Sequence, residues 1–276
     1  MSMGRTEALT AAEWVQFEQE GYLRLGQIAS DSQLASLQAR MDAIMLGKVR
    51  YKGMYFQLDS ASGSYGDVPS GGEWAEATLN YRKIETLERD PEFLAYLQHP
   101  VFRNICQQVY GDSVSIYRSM FMNKPAFRGT VLPYHQDGGD QWGLDRNPLV
   151  TIWTALDNAT VENGCMQVIA GSHRLGLLSQ WGHTISPEQE AELAPESASL
   201  FLEAKAGEAI LLHNWLLHRS GVNRIECPRR AFSVCYMEGA TRSQQDENRT
   251  YPLVFGEGAL CPEDQRPDYI EESLAV

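Results

Sequence analysis

The chain has 276 residues, of which 43% are hydrophobic and 10% aromatic, and its formal net charge is −13. Such a chain can bury a large core, which excludes a mainly disordered protein. The acidic charge disfavours nucleic acid and anionic membranes as main partners, because both bind basic surfaces. We therefore expect a globular protein whose partner is a small molecule, and the sequence leaves its oligomeric state open.

The cysteines and the N-terminus bear on the cellular compartment. The five cysteines are irregularly spaced and form no CxxC motif, a pattern typical of a reducing compartment rather than of a disulfide framework or a zinc ribbon. The N-terminus lacks the apolar segment of a signal peptide, and no apolar run approaches the length of a membrane span. We expect a soluble, cytoplasmic protein.

The N-terminal part, about residues 1–110, is predicted to be mainly helical. Thr10 and Gly21 bracket one amphipathic helix, and a second helix follows the short strand after it. Pro91 and Pro100 begin two further helices, since proline is favoured in the first turn.

The helical pattern is interrupted between residues 51 and 85. This stretch includes a Gly/Ser-rich loop over residues 59–74, which is long for a compact domain. Loops of this length are usually flexible or cover a binding site.

After Gly111 the pattern changes to short strands joined by turns. The predicted strands lie in SVSIYRSMFMNKP, LVTIWTALDN, CMQVIAG, GEAILLHN and RAFSVCYMEG. Strands that follow a separate helical part favour a mainly β fold, a barrel or jelly roll over about residues 111–242 with the N-terminal helices packed outside. We expect a single domain over residues 1–276, with an acidic surface insertion, SPEQEAELAPESASLF, and a flexible C-terminal extension over residues 243–276.

The motif PYHQDGG contains a candidate metal site. In a strand, His135 and Asp137 would face the same side while Gln136 turns away, and the two glycines after them allow a sharp turn. One imidazole and one carboxylate are two ligands of a 2-His-1-carboxylate triad, which leaves positions open on the metal. Because an HxD triplet is common by chance, the prediction depends on a second histidine.

The second histidine has four candidates: His173, His183, His213 and His218. We favour His218, because Arg229 follows it by eleven residues at the start of the next strand. An arginine there could hold the carboxylate of a diacid cosubstrate by a bidentate pair. Arg230 is an alternative to Arg229, since adjacent strand residues face opposite sides.

Four blocks of sequence occur in a distinctive order: LPYHQDGG, TIWTALDNATVENGCMQVIAGSH, AGEAILLHNWLLHRSGVN and RRAFSV. Over about residues 82–237 the chain resembles the phytanoyl-CoA dioxygenase family of Fe(II)- and 2-oxoglutarate-dependent oxygenases. The resemblance implies a double-stranded β-helix, which is a cupin-like jelly roll, and the cofactors Fe(II), 2-oxoglutarate and O2.

The resemblance also implies roles for individual residues. The implied metal ligands are His135, Asp137 and His218. The implied cosubstrate residues are Arg229, Ser220, Trp153 and Lys83. Trp153 could instead be an ordinary core residue, and Lys83 could be a solvated charge.

The carboxylate of Asp137 bears on the type of reaction. Related iron halogenases have a small residue at this position, so the resemblance implies hydroxylation, or another oxidation such as desaturation or cyclisation, of a small molecule. Oxidation of a C–H bond would be coupled to conversion of 2-oxoglutarate into succinate and CO2. A cupin-like metal-binding protein without oxygenase activity and a zinc hydrolase are the alternatives, although the chain has no HExxH motif.

The substrate is predicted from side chains near the motifs. The candidate contacts are Gln141, Trp142, Tyr55, Gln57, Asn80 and Tyr81. Their mixture of aromatic and polar groups suits a polar or amphiphilic small molecule. The net charge favours a neutral or cationic substrate over a highly anionic coenzyme A ester.

Overall fold

The computed structural model describes residues 5–179 and 184–271. These residues form five α-helices: α1 (Ala11–Glu20), α2 (Asp31–Met45), α3 (Pro91–Leu97), α4 (Pro100–Tyr110) and α5 (Pro187–Leu193). They form fourteen strands: β1 (Tyr22–Gln27), β2 (Val49–Arg50), β3 (Tyr55–Leu58), β4 (Tyr81–Glu85), β5 (Val114–Lys124), β6 (Leu132–His135), β7 (Val150–Ala155), β8 (Met166–Ile169), β9 (Ser199–Leu202), β10 (Glu208–His213), β11 (His218–Ser220), β12 (Arg229–Glu238), β13 (Leu253–Phe255) and β14 (Tyr269–Ile270).

The first helix begins and ends where the sequence predicts. The Thr10 side chain accepts a hydrogen bond from the Glu13 amide, and the Glu13 side chain accepts one from the Thr10 amide. This capping box satisfies backbone donors that the first turn leaves free. Gly21 ends the helix with a φ of 77°, a left-handed conformation that glycine adopts without strain.

Two antiparallel sheets form the jelly roll. The larger sheet has the order β1-β10-β7-β12-β5-β4-β3, with β13 also paired to β5, and the smaller sheet has the order β6-β11-β8-β9. A single cavity is lined by side chains from β5, β7 and β12 of the larger sheet and from β6, β8 and β11 of the smaller one. The metal motif therefore lies inside the jelly roll.

The N-terminal part contributes strands as well as helices. β1 adds to one edge of the larger sheet beside β10, whereas β4 and β3 extend the opposite edge. Leu23 and Leu25 alternate with less buried neighbours along β1 and are each 3% exposed. This alternation places one face of β1 in the core, so the prediction of a mainly helical N-terminal part is incomplete.

The helices pack outside the jelly roll, as predicted. Phe93 of α3 lies against Phe232 of β12 with ring centroids 5.0 Å apart, and Tyr96 is also close to Phe232. These contacts belong to one large core between the helices and the outer face of the larger sheet.

The C-terminal residues differ from the expectation of a flexible extension. β13 pairs with β5, and its residues Val254 and Phe255 are fully buried. β14 pairs with β2. The last residues of the acidic insertion also belong to the jelly roll, because they form β9, which pairs with β8 in the smaller sheet. Burial of apolar residues in β13 explains why this part of the chain is ordered.

The described helices include none that is long and apolar enough to cross a membrane.

Candidate metal centre

The two histidines of the candidate site face each other across the smaller sheet. His135 ends β6, His218 begins β11, and the two residues are antiparallel partners with ring centroids 3.9 Å apart. Asp137 follows two residues after His135, and the ligand atoms of all three side chains lie within 4.8 Å of one another. Two imidazoles and one carboxylate converge on one point, as a 2-His-1-carboxylate site requires.

The backbone sets the orientation of both imidazoles. His135 Nδ1 is 2.9 Å from the carbonyl oxygen of Pro133, and His218 Nδ1 is 2.9 Å from that of Leu216. A carbonyl can only accept, so each Nδ1 carries a proton, and in the neutral imidazole Nε2 is then the nitrogen with the lone pair. Lone pairs on two adjacent rings suit coordination of a cation, so this donor set fits a metal ion.

Asp137 is held by its backbone and its side chain. Its amide donates to the carbonyl of Asn214 at 2.7 Å, and its Oδ1 accepts a hydrogen bond from Arg118 Nη2 at 3.0 Å. Gly138 and Gly139 follow with φ values of 124° and 93°, a backbone conformation that residues with a side chain rarely adopt. The sharp turn predicted after the motif is thus present, and Arg118 orients the carboxylate beside the histidines.

A cavity of about 880 Å³, including its opening to solvent, extends from these three residues. Its walls include apolar side chains that exclude water: Met120, Met122, Leu132, Met166 and Leu212.

Arg229 lies in this cavity and Arg230 does not. Arg229 is 3% exposed, and its Nε has no hydrogen-bond partner among the described residues. Burial lowers the pKa of Arg229 to about 10, and its guanidinium lies 6.0 Å from the Trp153 ring centroid. Arg230 instead pairs with Asp157 and Asp42. A buried guanidinium with a free donor is suited to bind an anion.

The remaining predicted cosubstrate residues also line the cavity. Ser220 is buried and pairs in register with Leu132 and Met166. Lys83 is partly exposed, and its Nζ forms an ion pair with Glu85 at 3.0 Å. Ser220 is therefore positioned beside the cavity, whereas Lys83 already has a carboxylate partner.

The cavity contains further cations that sequence reasoning missed. Lys124 is the antiparallel partner of Arg229 and is 4% exposed, and Arg118 and Arg82 also line the cavity. The alternation of β5 could have placed Lys124 and Arg118 on one face, because residues separated by an even number of positions share a side. No local pattern indicates which face meets the metal.

The comparisons with known proteins decide the family. The family model of phytanoyl-CoA dioxygenase (PhyH) matches residues 17–231, which is most of the chain. The chain belongs to the PhyH family. This family consists of Fe(II)- and 2-oxoglutarate-dependent oxygenases, as the sequence resemblance implies.

Curated relatives are similar to this PhyH protein over most of its length. The peroxisomal phytanoyl-CoA dioxygenase of Rattus norvegicus is 26% identical over 229 residues, covering 80% of this chain and 66% of the relative. The phytanoyl-CoA dioxygenase of Arabidopsis thaliana is 25% identical over 261 residues, covering 86% of this chain and 91% of the relative. The chain therefore spans slightly less than two thirds of the rat relative and most of the plant one.

Solved structures share the fold. The non-heme monooxygenase ThoJ in its apo form is 19% identical, with a TM-score of 0.68 and coverage of 95% of this chain and 90% of ThoJ. EctD from S. alaskensis with 2-oxoglutarate and 5-hydroxyectoine is 21% identical, with a TM-score of 0.66 and coverage of 95% and 89%. The predicted jelly-roll fold is thus confirmed.

The six predicted substrate contacts are absent from the described cavity lining. Tyr81 is 1% exposed, and its hydroxyl bonds to the backbone of Ala75 and Glu76. Trp142 stacks on Tyr117 with ring centroids 4.1 Å apart. Tyr55 and Gln57 lie on the edge strand β3, Asn80 directly precedes β4, and Gln141 lies in a short 3-10 helix. Their role as substrate contacts remains a prediction.

Among the rejected histidines, His213 and His173 form a pair of their own with ring centroids 4.8 Å apart. His173 Nε2 donates to the Glu18 carbonyl at 3.0 Å, which joins this pair to α1. Neither belongs to the group of ligands around His135. His183 lies outside the described residues.

Proposed function

We propose that this PhyH protein is a non-haem Fe(II)- and 2-oxoglutarate-dependent dioxygenase that hydroxylates, or otherwise oxidises, an unactivated C–H bond of a small molecule. The observation that carries the proposal is one cavity with two features. His135, Asp137 and His218 converge in it, and the buried donor of Arg229 faces it without a partner among the described residues.

The proposed metal ligands are His135 through Nε2, His218 through Nε2, and Asp137 through its carboxylate. Arg118 donates a hydrogen bond to Oδ1 of Asp137, which holds this carboxylate beside the two imidazoles. The carbonyl partners of the two imidazoles hold the rings in the required tautomer. Because these residues would supply only three ligands, a bound Fe(II) could also bind the cosubstrate.

The proposed cosubstrate site is the deep end of the cavity. Arg229 would bind the distal carboxylate of 2-oxoglutarate, with Ser220 as a further donor and Trp153 as the apolar wall beneath it. We add Lys124, which is the register partner of Arg229 and therefore projects to the same side of the sheet. Lys83 is a weaker candidate, because Glu85 already pairs with it.

The chain's own residues bind and orient the reactants. When bound, Fe(II) supplies oxidising power from O2 as 2-oxoglutarate loses CO2 to become succinate and the substrate C–H bond becomes C–OH. Arg229 and Lys124 fix the direction of the cosubstrate, so that its keto acid end points to the histidines. The methionine- and leucine-lined wall excludes water, which strengthens these charge interactions.

Hydroxylation of a small molecule is supported at the level of the family and of one neighbour. The Asp137 carboxylate is present, and EctD was solved with a hydroxylated compound, 5-hydroxyectoine. We also propose a reducing, cytoplasmic compartment, because the five cysteines are irregularly spaced and form no CxxC motif.

The decisive experiment is an anaerobic titration of metal-free protein with Fe(II) and 2-oxoglutarate, followed by the weak visible absorption of the chelate. We expect a saturable band in the wild type and none in Asp137→Ala. In Arg229→Ala the band should remain at high 2-oxoglutarate, with the dissociation constant raised about tenfold to a hundredfold, because one charged hydrogen-bonding group is lost.

Arg230→Ala is the matched control, because Arg230 pairs with acids outside the cavity. Its 2-oxoglutarate affinity should equal that of the wild type. The proposal would be refuted if the wild-type protein formed no chelate band and bound zinc tightly. That result would favour the zinc hydrolase or the cupin-like binding protein.

A further inference from the structure

The charges that line the cavity are strongly unbalanced. Its lining includes one carboxylate, Asp137, and five cations: Arg82, Lys83, Arg118, Lys124 and Arg229. The net charge of the whole chain has the opposite sign, −13. Because an unpaired charge is costly to bury, each cation needs a partner in the working enzyme.

Four of the five cations have a partner or an assigned ligand. Arg118 pairs with Asp137 at 3.0 Å, and Lys83 pairs with Glu85 at 3.0 Å. The remaining two at the deep end, Arg229 and Lys124, receive the distal carboxylate of 2-oxoglutarate in the proposed function. Arg82 is left over.

Arg82 has no carboxylate within ion-pair distance among the described residues. Its Nη1 donates to Gln57 Oε1 at 2.9 Å, and its guanidinium lies 5.5 Å from the Tyr65 ring centroid. Burial lowers the pKa of Arg82, despite the nearby charge of Asp59. Asp59 is occupied by other donors, since its oxygens accept from the Gly129 and Thr130 amides and from the Thr130 hydroxyl.

Arg82 is near enough to Lys124 for its charge to lower the pKa of that lysine, but it is less buried than the cations of the cosubstrate end. Arg82 is partly exposed, whereas Arg229 and Lys124 are 3% and 4% exposed. Tyr65, which belongs to the Gly/Ser-rich segment over residues 59–74, lines the cavity beside it. Arg82 is therefore the most solvent-accessible of these three cations, with Tyr65 beside it in the cavity wall.

We infer that Arg82 binds an anionic group of the substrate, a carboxylate or a phosphate. This inference rests on the proposed function. It replaces the expectation of a neutral or cationic substrate, because the charge inside the cavity acts on the ligand at short range while the acidic surface acts through screening solvent.

The test uses protein already loaded anaerobically with Fe(II) and saturating 2-oxoglutarate, so that Arg229 and Lys124 are occupied. Inorganic phosphate and acetate are the probes, and binding is followed by calorimetry and by perturbation of the visible chelate band. We expect saturable binding of at least one probe to the wild type. Arg82→Gln should weaken that binding about tenfold to a hundredfold, and Arg82→Lys should restore part of it.

Arg89→Gln is the control for the loss of one positive charge, since Arg89 is an exposed residue outside the cavity lining. It should bind the probes as the wild type does. Stronger binding of phosphate or of acetate identifies the anionic group. A chelate band that forms without Arg82-dependent anion binding would overturn this inference alone, whereas the lack of any chelate band would overturn the proposed function as well.

Discussion

Lys124 shows how single residues at the cosubstrate end depend on burial and charge together. Its Nζ donates to the Thr130 carbonyl at 2.7 Å, and no carboxylate pairs with it among the described residues. Burial, and then the positive charges of Arg229 and Arg82, hold the pKa of Lys124 well below its ordinary value. The unfolded chain therefore binds more protons than the folded chain between the lowered pKa and 10.5, and stability rises with pH through that window.

Lys124→Met should have two effects of opposite sign. At neutral pH the ligand-free protein should become more stable, because the buried charge no longer has to be desolvated. The affinity for 2-oxoglutarate should fall about tenfold or more, because a charged donor to the carboxylate is lost. Thermal unfolding and anaerobic 2-oxoglutarate titration measure the two effects.

The exposed Lys52 offers the matched control. Lys52→Met should change neither quantity. Unchanged 2-oxoglutarate affinity in Lys124→Met would exclude Lys124 from the cosubstrate site.

At the level of elements, β13 is the clearest addition to the predicted fold. It extends the larger sheet by pairing with β5, the same strand that carries Arg118 and Lys124. The ring of Phe255 is 1% exposed and stacks near Tyr236, with centroids 6.0 Å apart. The C-terminal residues therefore support the strand that carries part of the site.

Phe255→Ala should lower the free energy of unfolding by about 3–5 kcal/mol, the usual result of removing a fully buried phenylalanine. Phe127→Ala removes a ring that is 69% exposed. It should change the free energy of unfolding by about 0.5 kcal/mol or less. Denaturant unfolding of both variants gives the comparison. Equal stability of Phe255→Ala and the wild type would show that the C-terminal strand is dispensable.

At the level of the whole molecule, a histidine pair joins the N-terminal helix to the jelly roll. His213 Nδ1 accepts from the Trp215 amide at 3.1 Å, and its ring lies near those of Phe17 in α1 and His173. Burial, and then His173, lower the pKa of His213 to about 4. The unfolded chain, with an ordinary histidine pKa of about 6.5, therefore binds the extra proton as pH falls between these values.

Stability should accordingly decrease as pH falls from 6.5 to 4, and His213→Gln should remove part of that decrease. The substitution should remove about 2 kcal/mol of the loss in unfolding free energy between these pH values. This is less than the full pKa shift would give, because the ring is partly exposed to solvent. Denaturant unfolding of both proteins at several pH values measures the difference, and the titration of carboxylates largely cancels between them. Parallel pH dependences would exclude His213 as the source.

Local patterns were sufficient for some of these features. The predictions of the strand β1 and of the bounds of α1 follow from alternation and capping. The two-residue spacing of His135 and Asp137 indicates a shared face before any tertiary contact is known. The family follows from the order of four sequence blocks. Each of these signals lies within a short segment, where backbone geometry alone determines which side chains face together.

The cation arrangement in the cavity was decided by tertiary structure. Arg229 and Lys124 are far apart in the chain and meet only because β12 pairs with β5 in one register. Arg82 reaches the same cavity from β4, a strand within the part predicted to be irregular. A one-residue change in register would reverse which side chains face the cavity, and long-range pairing sets that register. The metal motif can therefore be read along the chain, whereas the charges that select its ligands arise from the folding of distant strands onto each other.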